Sequence, residues 1–88
     1  MAQELYSLPQ AVVAIKTEIL TGRTFARIAL ASDDPKKTAR NLDNARKAYS
    51  TAQKWADKAR LAPADLREIA GQLELLKADL VKLEKHSK

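Results

Sequence analysis

One histidine, His86, and no cysteine stand among the 88 residues of the chain. Without a second imidazole or any thiol, the sequence can assemble no histidine-based triad, no HExxH metal site and no thiolate nucleophile or zinc ligand set. Carboxylates remain, but their spacing suits other work. Glu74 with Lys77, and Asp79 with Lys82, have the i, i+3 spacing of surface ion pairs on a helix, each worth about 0.2–0.5 kcal/mol. Asp33 and Asp34 precede Pro35, where Asp accepts from the open N–H groups of a helix start; the glycine and ligand spacing of a calcium loop are missing. Gly22 and Gly71 are isolated, so no glycine loop is present to cradle a phosphate. The expectation is a protein that is not an enzyme, with no metal, no cofactor and no small-molecule substrate.

Charge offers more. The net charge is +5, and it is concentrated: between Lys36 and Arg60 eight basic residues stand against Asp43 and Asp57 alone, leaving the rest of the chain close to neutral. Projected at about 100° per residue, Lys36, Arg40, Lys47, Lys54 and Lys58 share one narrow stripe, opposite a face of Ala45, Tyr49, Ala52, Trp55, Ala56 and Ala59. A charged stripe serves to keep a helix face wet. It also suits a phosphate-tracking surface, since five cations along about 33 Å of helix can displace counterions from a nucleic acid. No base-reading set of Asn, Gln and aromatic residues accompanies them, so such binding is expected to have little sequence specificity. Tyr49 and Trp55 border the alanine face and are expected to fill the gaps that alanine leaves in a core; the other use of two such rings is to line a ligand or peptide groove anchored by Trp55.

The elements that must carry these residues are helices. Leu8, Val12, Ile15, Ile19, Gly22, Ala26 and Ala29 follow 3-4 spacing, as do Thr38, Asn41, Ala45, Ala48, Ala52, Trp55 and Ala59, and again Leu66, Ile69, Leu73, Leu76, Leu80 and Leu83. Each set falls on one stripe of a helix. Pro9 suits a first helical position, Ser32-Asp33-Asp34-Pro35 marks a boundary, and Pro63 restarts the chain. The prediction is three helices, at about 9–31, 35–61 and 63–85, with fraying at Met1–Tyr6 and Lys85–Lys88. Short connections force neighbours to run antiparallel, giving an all-α, antiparallel up-down-up three-helix bundle with heptad-like seams and a single helical domain over 1–88. Gly22 inside its seam costs about 1 kcal/mol of helix propensity, so either the helix bends there or a neighbouring backbone comes close.

Helix one also carries Val13, Leu20 and Ile28 on the side away from its seam, and helix three adds Leu75. Several apolar residues on one outer side suggest a second buried face. Homodimerisation through helix one, or docking of a partner helix onto it, is the expected use, and the chain reads as a protein-interaction or assembly module. Nucleic-acid binding through the basic stripe is the alternative.

The A-x3-Y-x2-A spacing of Ala45, Tyr49 and Ala52 resembles the second helix of a tetratricopeptide repeat, and Asp33-Asp34-Pro35 resembles the turn before it. The resemblance covers about 35 residues. Gly22 and Phe25 have the small-x-x-aromatic spacing of the first helix but lie too far from Ala45 for one unbroken repeat, and no second copy follows. It implies a tetratricopeptide-like helical hairpin used for protein contacts.

No apolar stretch approaches the ~20 residues of a membrane span, and the apolar faces are committed to a core, so no membrane partner is expected. Glu4, with no basic residue before Lys16, does not fit a secretory signal. With no cysteine present, a cytoplasmic location is expected.

Overall fold

The computed structural model describes residues 2–86, with side chains described from 10 to 85. Three helices, α1 (Ala2–Ala31), α2 (Pro35–Lys58) and α3 (Pro63–His86), run up, down and up. All three pack against one another, α1 on α2 most extensively. The rod measures 48 × 19 × 15 Å.

α1 begins at Ala2 rather than near Pro9. Ala2, Gln3, Glu4 and Leu5 are strong helix formers, and Pro9 inside the helix removes one N–H donor, the partner of the Leu5 carbonyl. Ala2–Tyr6 lie in α1, and Lys85 and His86 in α3. Met1, Ser87 and Lys88 lie outside the described residues, and Leu8, first in its seam, outside the described side chains.

The first turn is closed by short polar contacts. Asp34 caps α2: its Oδ1 accepts from Lys36 N at 3.0 Å, while its own N–H donates to Ser32 Oγ at 3.1 Å. Thr38 Oγ1 lies 3.5 Å from the carbonyls of both Ala29 and Ser32, tying the start of α2 to the end of α1. At the other end α2 stops at Lys58, three residues before the predicted Leu61. Ala59 is extended, its N–H closing the last bond to Trp55 O at 2.9 Å. The chain must reverse within residues 59–62, and Pro63 disfavours helical geometry at Ala62. Leu61 turns back onto the core.

The core follows the seams. Ile15, Ile19, Ala26 and Ala29 of α1, Ala45, Ala48 and Ala52 of α2, and Ile69, Leu76, Leu80 and Leu83 of α3 are buried. Asn41, the polar member of the α2 seam, satisfies its amide by donating from Nδ2 to Lys37 O at 2.9 Å. Leu42, off the seam, is also buried, because α2 faces two helices and needs a stripe wider than one seam.

At Gly22 the three helices meet. A methyl group there would stand 2.8 Å from Cδ2 of Leu76 and 2.9 Å from Cβ of Ala48. The backbone dihedral is ordinary, so glycine is needed for space. Gly71, in α3, has nothing within 4 Å of where a methyl would go. The two glycines therefore respond oppositely to alanine. Gly71→Ala should stabilise by up to about 1 kcal/mol through helix propensity alone. In Gly22→Ala the same gain is outweighed by overpacking, which costs about 1–3 kcal/mol, because the Ala48 methyl is fixed to its backbone and cannot swing away. Chemical denaturation of the two variants checks the sign of each. In a double-mutant cycle, Ala48→Gly should cost less in the Gly22→Ala background than alone.

Candidate functional site

Two surfaces collect the residues singled out by sequence. On α1, Val13 and Leu20 are 64% and 63% exposed and Ile28 44%, all on the side away from the α1 seam. Between them lie Thr17 and Thr24, also exposed. Thr24 Oγ1 donates to Leu20 O at 3.0 Å, so its hydroxyl is satisfied within the helix and can be covered by an apolar surface. Val13, Thr17, Leu20, Thr24, Ile28 and Ala31 form a second stripe of 3- and 4-residue steps, and none of them is charged. The threonines of this stripe went unread in the sequence because they are polar; spacing was the signal that could have found them.

Leu75 of α3, half exposed, stands beside Leu20. The two line a cleft of about 340 Å³ with Lys16, Ile19, Arg23 and Gln72. Ion pairs cross between α1 and α3 along this edge: Lys16 bonds Glu68, and Arg23 Nε lies 2.9 Å from Asp79 Oδ2. Asp79 thus pairs with Arg23 rather than with Lys82, as the i, i+3 spacing had suggested. On the opposite side Arg46 reaches Glu84 at 2.6 Å.

The second surface is the outer face of α2. Lys36, Arg40, Lys47, Lys54 and Lys58 are all exposed there. Asp43 neutralises Lys47 at 3.1 Å. Among the described residues, no carboxylate pairs with Lys36, Arg40, Lys54 or Lys58.

Trp55 departs from the core position expected of it: it is 42% exposed, whereas Tyr49 does pack against the core. A straight helix drifts about 20° per heptad against a 3.5-residue repeat, so each step from Asn41 to Ala48 to Trp55 turns the seam further from the core. Leu66, at the start of the leucine seam, is exposed for the same reason. With Ala11, Ala14, Ile15, Lys58 and Ala59, the Trp55 indole lines a cleft of about 240 Å³ between α1 and α2.

Among the described residues no three His, Cys, Asp or Glu stand close enough together to hold a metal ion, and no helix is long and apolar enough to cross a membrane. The His86 side chain lies outside the described ones. Comparison of the chain with family models, curated proteins and solved structures finds no match.

Because the indole is partly in solvent, Trp55→Ala should lower stability by only about 1 kcal/mol, well below the ~3–5 kcal/mol typical of a buried Trp→Ala change. Urea denaturation followed by circular dichroism measures the difference; a loss in the larger range would place the ring in the core.

Proposed function

We propose that this chain is a non-catalytic assembly module that associates with a second copy of itself through the outer face of α1. The observation that carries the reading is the exposure of Val13 and Leu20 on a stripe free of charge. A partner of some kind is suggested by apolar residues that repeat on one side of one helix, since single exposed apolar residues need no explanation but a repeating set does.

A second copy fits because the stripe is symmetric about its own middle. With two α1 helices antiparallel and the two-fold axis near Leu20 and Thr21, Val13 faces Ile28 of the other copy, Thr17 faces Thr24, and Leu20 lies against Leu20. A two-fold interface must be self-complementary in this way. The seam from Val13 to Ala31 is about 27 Å long, and Leu75 on α3 widens the buried patch toward the ~800 Å² per partner of a standard interface. Charge does not oppose the contact, because Lys16 and Arg23 already have their partners on α3, and Arg27 sits at the rim where its stem can lie on the apolar stripe with its head in water.

Leu20→Glu tests the reading. It would bring two carboxylates together at the axis, while Lys16 and Arg23 flank the position within each chain. Sedimentation equilibrium should give a dimer for the native chain and a monomer for the variant, with dimer affinity weakened about 100-fold or more and the circular dichroism spectrum unchanged. A native chain that is monomeric, or a variant of unchanged mass, contradicts the proposal.

A further inference from the structure

The outer face of α2 joins two features that the sequence pattern assigned to different places. The cations form a solvent-exposed stripe, and Trp55, displaced from the core by the drift of its seam, emerges at the C-terminal end of that stripe beside Lys58, with which it shares a cleft. Lys54 is its chain neighbour. Trp55 thus offers a partly exposed indole with positive charge beside it and no carboxylate bound to Lys54 or Lys58 among the described residues.

We infer that this face binds single-stranded nucleic acid, with a base stacked on Trp55 and the phosphate backbone running along Lys58, Lys54, Arg40 and Lys36. The chemistry is that of a stacking platform beside an electrostatic track: aromatic rings take any base by its π-face, and lysines and arginines hold the phosphates. The track from Lys36 to Lys58 is about 33 Å long. Lys47 lies on it but is held by Asp43 and contributes less. A duplex is the poorer occupant, since its bases are already stacked on one another and present only their edges. A lipid surface is poorer too: apart from the one indole at its end, the outer face of α2 is built of Lys36, Arg40, Asp43, Lys47, Ser50 and Lys54 and offers no apolar stripe, whereas interfacial helices bury an apolar face. This site is separate from the α1 stripe and does not depend on self-association.

The single tryptophan of the chain makes the site its own reporter. An oligodeoxythymidylate of about 15 nucleotides, within the site sizes of single-strand binders, should quench Trp55 emission to saturation. For four phosphate contacts, affinity should fall roughly 50-fold between about 50 and about 200 mM salt. By anisotropy of the end-labelled oligonucleotide, Trp55→Ala should weaken binding about 10-fold and Trp55→Phe should restore most of it. The Lys54→Glu, Lys58→Glu double variant should weaken it by more than about 10-fold with helicity intact. No binding at about 50 mM salt overturns the inference. So does a Trp55→Ala variant that binds as well as the native chain, or inorganic polyphosphate competing equally per charge, since either would leave an anion surface without stacking. Equal affinity for the matching duplex would overturn the single-strand assignment. Quenching by phosphatidylserine vesicles with none by the oligonucleotide would move the face to a membrane.

Discussion

The absence of a side chain at Gly22 is the constraint on which the packing rests. At that level α1 meets Ala48 and Leu76 so closely that a single methyl group would fall inside van der Waals contact with both. The glycine costs about 1 kcal/mol of helix propensity, and in return it admits the whole Leu76 side chain, fully buried, whose burial contributes about 1.5–3 kcal/mol. Balance at one level then dictates composition along the rest of α2. A helix lying that close to α1 can carry only small residues on the shared face, and Ala45, Ala48 and Ala52 supply them. The bulk missing from α2 is provided by Ile15 and Ile19 from one side and by Ile69, Leu76, Leu80 and Leu83 from the other.

Close approach makes a thin rod, 19 × 15 Å across its short axes, and a thin rod has little interior relative to its surface. Each helix therefore has a broad outward face, and the three helices use theirs differently. α1 presents an uncharged stripe. Toward α3 that stripe is bordered by cations whose charge is already met by Glu68 and Asp79, so the border adds little net field. α2 presents cations that, Arg46 and Lys47 apart, have no such partners among the described residues. The same kinds of side chain thus give a nearly neutral edge on one side of the bundle and a positive field on another, and the position of the acidic residues decides which.

Much of this was legible in the sequence, and what was not has a common cause. Three seams, their boundaries at Pro35 and Pro63 and the antiparallel order follow from 3-4 spacing and short connections, because burial of an apolar stripe is what organises a small helical chain. Val13, Leu20 and Ile28 were equally legible, since an apolar residue far from the seam has nowhere to hide. Long-range consequences were not. Asp79 has a lysine at i+3 in sequence, yet its partner comes from another helix. Trp55 and Leu66 belong to their seams by spacing, but a 3.5-residue pattern laid on a 3.6-residue helix places its outer members off the core, and only the packed arrangement reveals which end of each seam is sacrificed. For Gly22, spacing offered a bend or a close contact, and the positions of Ala48 and Leu76 decide for contact.

The drift that exposes Trp55 also links the two surfaces. In a three-helix rod the outer faces of the helices point roughly a third of a turn apart, so two copies joined through α1 would leave both α2 faces in solvent. A dimer of that form would carry two cationic stripes and two indoles on one body. For any long polyanion the second stripe would then act at an effective concentration set by the dimer geometry, raising avidity without a single new contact. Assembly through α1 and charge on α2 are therefore compatible uses of one small fold, because the constraint at Gly22 that draws the core together is what turns these two faces outward.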